Sequence, residues 1–297
     1  HLGYIKRTPL ADFRQQGRGG VGAKASAARD EDFIEYVHQA NMHSTMMFFT
    51  EQGRLYWTKV YELPEGNRQS KGRALQNMIN IQKGDKVCAF IHVKNLNDLE
   101  YVQNHYLIFA TKDGLMKKTT LESYSRPRAN GIIALGLREG DRLIRVTLTD
   151  GNSQMLVASY NGKVVRFPED SVRPMGRTAT GVRAIKLDED GQDRVIGMIC
   201  VEEDSKESVL VISEKGYGKR TDLNDENGEA IYRITNRGAK GVKTMNLTDK
   251  TGNLIGLEAV TDEQDLMLIT KSGTAIRMAM DTIRVMGRAT QGVKLIE

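Results

Sequence analysis

The stretch Met155-Leu156-Val157-Ala158-Ser159-Tyr160-Asn161-Gly162-Lys163-Val164-Val165-Arg166-Phe167 reads as two short apolar strands folded about a glycine. A glycine-bounded basic loop follows it, Gly176-Arg177-Thr178-Ala179-Thr180-Gly181-Val182. Glycine supplies the positive φ of a tight turn, and Asn161-Gly162 predicts a two-residue hairpin. The same pair of landmarks recurs along the chain. Met46-Met47-Phe48-Phe49-Thr50 precedes Gly53, Tyr106-Leu107-Ile108-Phe109-Ala110 precedes Gly114, Val209-Leu210-Val211-Ile212 precedes Gly216, and Leu266-Met267-Leu268-Ile269 precedes Gly273. The loops close on Gly22, Gly72, Gly131, Gly181, Gly241 and Gly292, in steps of 50, 59, 50, 60 and 51 residues. Further strand candidates follow these loops at 74–81 and 86–93, 132–137 and 143–148, 182–187 and 195–201, and 242–247 and 254–260.

Four short strands in each of six units predict an all-β, propeller-like ring. Its blades are expected near 1–45, 46–105, 106–154, 155–208, 209–265 and 266–297, as one domain over 1–297. Only 31–40 suggests a helical turn, and the alternation of strands with long helices that marks a doubly wound sheet is absent. The first unit enters at its hairpin turn, as a piece of a longer chain does. The last stops without its fourth strand, so in a closed ring the two ends are expected to share a blade.

Of the 297 residues 39% are hydrophobic and 6% aromatic, enough for a core, with Trp57 the sole tryptophan. Cys88 and Cys200 cannot build a disulfide framework and sit in apolar runs, which reads as two buried thiols in a reducing compartment. No apolar run approaches the ~18 residues of a membrane helix, and no signal-peptide pattern opens the chain. These features argue against a membrane protein, a secreted disulfide scaffold and a disordered chain.

The net charge of +5 decides nothing until its distribution is known. Segments running from hairpin turn to basic loop (14–29, 51–73, 112–131, 162–186, 214–243 and 271–294) hold 32 of the 43 basic residues but only 13 of the 38 acidic ones. They carry +19 and the remainder −14. Equivalent positions in successive blades occupy equivalent places on a ring, so a per-blade excess becomes a basic belt suited to a bent polyanion.

Gly17 to Gly22 spells G-x-G-x-x-G, but a dinucleotide site needs a crossover helix after it and an acidic residue about twenty positions on. Val37-His38-Gln39-Ala40 stands there instead, and 23–28 is too short for the helix. The five histidines lack the cysteines or third ligand of a zinc site. No Ser-His-Asp pattern, nucleophile elbow or HExxH occurs, so catalysis by this chain alone is not expected. The surviving motif is the glycine-rich loop around Arg18. Glycines let its backbone approach another surface, and a guanidinium with exposed amides suits phosphate.

Gln16-Gly17-Arg18-Gly19-Gly20-Val21-Gly22 resembles the gyrase-A box, Gln-basic-Arg-Gly-Gly-basic-Gly, with Gly17 and Val21 in place of the basic residues. Val60-Tyr61-Glu62-Leu63-Pro64, Gly216-Tyr217-Gly218-Lys219-Arg220-Thr221 and Gly287-Arg288-Ala289-Thr290-Gln291-Gly292-Val293 are similar to the same family. Over its whole length the chain resembles the C-terminal domains of DNA gyrase A subunits. That resemblance implies a six-bladed β-pinwheel with strands exchanged between blades, which wraps duplex DNA on its perimeter with positive handedness. It also implies a non-catalytic piece of a type IIA topoisomerase in the bacterial cytoplasm, associated with the nucleoid. Its partners would be the B subunit and the cleavage domain of its own subunit, in an A2B2 assembly that uses ATP and Mg to introduce negative supercoils; this segment itself is expected to hold no cofactor and no metal.

The box residues Gln16, Gly17, Arg18, Gly19, Gly20, Val21 and Gly22 are then expected to meet DNA, flanked by Arg14 and Lys24. Phosphate contacts are expected from Arg68, Lys71, Lys117, Lys118, Arg126, Arg128, Arg177, Lys219, Arg220, Arg237, Lys240 and Arg288. Two rival readings are the corresponding domain of topoisomerase IV and a protein-interaction propeller without nucleic acid. Six copies and a near-complete box argue against the first; missing Trp-Asp signatures and the basic belt argue against the second.

Overall fold

Apolar runs without polar alternation belong to strands covered on both faces. Thr45–Thr50 and Gln154–Ser159 are buried at every position. The computed structural model describes residues 3–9, 23–24, 37–67 and 69–296, and in it these runs lie inside a stack of six twisted sheets.

Sheets two to five share one plan. In sheet two the order is Val87–Val93, Thr45–Thr50, Arg54–Lys59, Ile132–Ile133. Sheet three runs Leu143–Thr149, Tyr106–Thr111, Leu115–Thr120, Val182–Arg183. Sheet four runs Val195–Val201, Gln154–Ser159, Lys163–Pro168, Val242–Lys243. Sheet five runs Leu254–Val260, Ser208–Ser213, Tyr217–Asp222, Val293–Lys294. The seven-residue strands of neighbouring sheets touch one another and form the inner side, so the two-residue strands form the outer edge. Each inner strand has a bulge or register shift at its pairing with the hairpin, which bends it around the centre.

In sheets two to five the outer strand comes from the following repeat, the exchange between blades that the resemblance implied, and the strand candidates read from the residues are corrected accordingly. The candidates 74–81, 132–137, 182–187 and 242–247 shrink to Arg73–Ala74, Ile132–Ile133, Val182–Arg183 and Val242–Lys243. Each of these completes the preceding hairpin instead of its own. The two ends do share a sheet: Ala23–Lys24 pairs with Thr274–Ala279, which pairs with Asp265–Ile269. Tyr4–Ile5 pairs with Arg73–Ala74 as the first sheet.

Five apolar clusters fill the spaces between consecutive sheets. Met47 and Phe49 face sheet three while Met46 and Phe48 face the first sheet; Ile108 packs with Met155, Leu156 with Val209, and Leu210 with Ile276. At the hairpin after Ser159, Gly162 has φ +86° and its N–H donates to Ser159 O at 2.9 Å, whereas no non-glycine residue among those described has positive φ. Asn161 therefore does not form the predicted two-residue turn. A longer turn ends in the left-handed glycine, and the Asn161 amide donates to Asp188 and Asp190. The one α-helix described, Leu99–Asn104, was not foreseen; Asp98 caps it by accepting from Tyr101 N. Of the 31–40 stretch, only 37–40 are described, and they are not helical.

Candidate nucleic-acid interface

Each basic loop must turn back against a hairpin and feed the outer strand, and its closing glycine makes this possible. Gly181 has φ +103° and Gly241 +78°; a Cβ there would stand 2.2 Å from Met116 O and 2.4 Å from Val164 O. No other residue fits so close an approach at such a φ.

Four residues before the closing glycine, Arg177, Arg237 and Arg288 do the same task in three repeats. The Arg237 guanidinium donates to Arg183 O at 2.7 Å and Arg288 to Lys243 O at 2.8 Å; Arg177 donates to Ile133 O. Each acceptor is the last residue of the outer strand lent by the previous repeat. Pro127 holds the equivalent place in the third loop, where Arg126 and Arg128 project on either side.

Four expected phosphate contacts are corrected by the structure. Lys117, Lys118, Lys219 and Arg220 are 0%, 4%, 0% and 4% exposed. Period-two alternation would turn one of each adjacent pair to solvent, but neighbouring sheets cover both faces of these strands. Their charges are consumed internally. Lys117 Nζ donates to Tyr124 Oη at 3.0 Å and to the carbonyls of Ala134 and Arg177. Lys219 Nζ donates to the carbonyls of Gly287 (2.7 Å), Arg288 and Thr290 (3.0 Å). Lys118 pairs with Glu169 at 3.3 Å, and Arg220 reaches Asp262 at 2.7 Å, Ser208 Oγ at 2.9 Å and Met280 O at 3.1 Å. Burial, then the neighbouring Arg177, lowers the Lys117 pKa to about 7; burial, then Arg288, lowers that of Lys219 to about 8. Lys117 and Lys219 thus sit beneath the loops and draw carbonyls inward.

Lys71, Arg126, Arg128 and Lys240 are exposed, and Arg177, Arg237 and Arg288 half-buried. Arg14, the box residues Gln16 to Gly22 and Arg68 lie outside the described residues, as does the side chain of Lys24. Six exposed cations were missed: Arg173, Arg233 and Arg284, eight residues before a closing glycine, and Arg183, Lys243 and Lys294, two residues after one. The signal was in the sequence as a fixed offset from each glycine.

The ion pairs divide the surface. Among the described residues, no Lys or Arg of a basic loop or outer strand has a carboxylate within 4.0 Å; the ion pairs are made by other cations, as in Arg142–Glu51 and Arg277–Asp265. On the inner side, Arg145 of sheet three reaches past sheet four to Glu258 of sheet five at 3.2 Å. The outer cations have no such partner among the described residues, so their field faces solvent.

A family model described as DNA gyrase C-terminal domain, beta-propeller, matches residues 1–41, 44–94, 105–150, 154–202, 207–261 and 264–297. The DNA gyrase A subunit of Staphylococcus aureus is 42% identical over 296 residues, which cover 100% of this chain and 32% of that protein. The chain therefore spans about a third of the length of the curated relatives it matches. A solved DNA gyrase A C-terminal domain superposes with a TM-score of 0.84 at 23% identity, covering 99% of this chain and 92% of the other. The C-terminal domain of a DNA topoisomerase IV gives 0.74 at 24% identity, covering 100% and 86%. With six consecutive matches along its length and that identity over its full extent, the chain belongs to the DNA gyrase C-terminal domain family of beta-propellers.

Proposed function

We propose that this chain binds duplex DNA without sequence preference along the outer edges of its sheets, bends it and wraps it, as the non-catalytic C-terminal domain of a gyrase A subunit. The observation that carries the reading is the row of outer cations without carboxylate partners among the described residues, set against an inner side whose Arg145 is paired with Glu258. Phosphate neutralisation with counterion release supplies the affinity. Smooth bending of a 20–30 bp site by 40–90° costs ~1–6 kcal/mol, so several repeats must act together. In this reading the partners are the B subunit of an A2B2 enzyme and the cleavage domain of the same subunit, in the bacterial cytoplasm. ATP and magnesium serve that assembly, and we assign them no residue of this chain.

The test measures the affinity of the 297-residue chain for long linear duplex across a salt series. With Z phosphates neutralised, log K falls against log salt with a slope of about −0.9Z; a slope near zero refutes the reading. Topoisomerase IV is the second reading, favoured by its similar fold. Relaxation and ligation of circular DNA on the chain separates the two: positive wrapping changes the linking number in a gyrase domain, and no linking change points to the other.

A further inference from the structure

The bond that closes each boundary between repeats has a second effect. Arg237 donates to the carbonyl of Arg183, and Arg288 to the carbonyl of Lys243. The acceptor residues are themselves cationic and exposed, so each bond ties together two cationic residues of successive repeats. None of the four has a carboxylate within 4.0 Å among the described residues. Only Nη1 of each guanidinium is spent on the carbonyl; Nη2 has no protein acceptor among the described residues. Two cationic residues tied through a backbone carbonyl, with the Nη2 donors of the guanidinium unspent, are arranged for an anion that both side chains can share.

We propose that Arg183 with Arg237, and Lys243 with Arg288, are phosphate clamps, each gripping one phosphate of the duplex backbone at a boundary between repeats. This rests on the DNA-binding reading above and refines it. The clamp is not built everywhere. One boundary earlier, Ile133, 48% exposed, stands where Arg183 and Lys243 stand, so Arg177 is left without a partner cation. One earlier still, the positions hold Ala74 and Pro127. Among the described residues the track is therefore uneven: the fourth to sixth repeats hold the duplex firmly, while the third guides it with the unclamped cations Arg126 and Arg128.

Arg183→Ala and Lys243→Ala test the clamps cleanly, because the carbonyl that accepts the structural bond belongs to the backbone and remains. Each variant is expected to flatten the salt slope by about 0.9, which at 0.1 M salt is about eightfold in affinity. Ile133→Lys is expected to complete a third clamp and steepen the slope by a similar amount. Lys206→Ala, an exposed cation in the acidic run Glu202-Glu203-Asp204-Ser205-Lys206-Glu207, is expected to leave the slope alone. Thermal melting of each variant checks that the fold is intact. If the unaltered chain binds with a steep slope and Arg183→Ala and Lys243→Ala keep it, the clamps are overturned and DNA binding stands. If the unaltered chain has no slope, the underlying reading falls first.

Discussion

Replacing Lys117 with Met removes an amine that is fully shielded from solvent and serves three acceptors. Its folded pKa of about 7 lies well below the 10.5 of a lysine in water, with burial the main cause and Arg177 the second. Tyr124, whose hydroxyl lies 3.0 Å from Nζ, has its own pKa pushed up by burial and stays neutral. Between the two lysine pKa values the unfolded chain binds the extra proton, so stability rises with pH across that window. From pH 7 to pH 9 the gain is about 2–3 kcal/mol, at 1.36 kcal/mol per unit. Urea denaturation at pH 6, 7, 8 and 9 should show this rise in the unaltered chain, and the Lys117→Met curve should lack that share of it. Parallel curves would refute the claim that burial beneath the loop makes Lys117 give up its proton above pH 7.

Two further substitutions probe the frame that carries the outer edge. Gly241→Ala places a Cβ 2.4 Å from Val164 O on a backbone at φ +78°, and should cost several kcal/mol and release Val242–Lys243 from its sheet, read as a lower melting temperature with weakened DNA binding. Glu169→Gln leaves buried Lys118 without its counter-charge and should destabilise by about 3–5 kcal/mol in denaturant titration, whereas the paired replacement of Lys118 by Met and Glu169 by Leu should recover only part of the loss, because Thr149 Oγ1 and Ser153 N also donate to Glu169.

Much of the architecture was legible because it repeats. The apolar hairpins and the glycines that close the loops recur at near-constant spacing, and the backbone demands on those glycines are local. The residue pattern made the outer strand legible as a position but not as a pairing, and its exchange between blades came only from the family resemblance: two residues such as Val182–Arg183 carry too little pattern to name a partner, and tertiary packing sends them to the preceding hairpin. Adjacent Lys117 and Lys118 misled for a related reason. A strand in a half-exposed sheet sends every second side chain outward, but a strand between two other sheets has no outward face, and its cations must find partners inside. Arg183, Lys243 and Lys294 were missed because they sit just beyond the loops, where the sequence resembles ordinary strand.

Lending each outer strand forward makes the repeats interdependent in time as well as in space. During synthesis the hairpin at 154–168 stays incomplete until residues 242–243 emerge, so each module waits for its successor before its margin is sealed. The last hairpin draws instead on residues 23–24, which emerged first. A chain cut within any repeat should therefore expose the border of the module before the cut, while removal of the first two dozen residues should fray the far end.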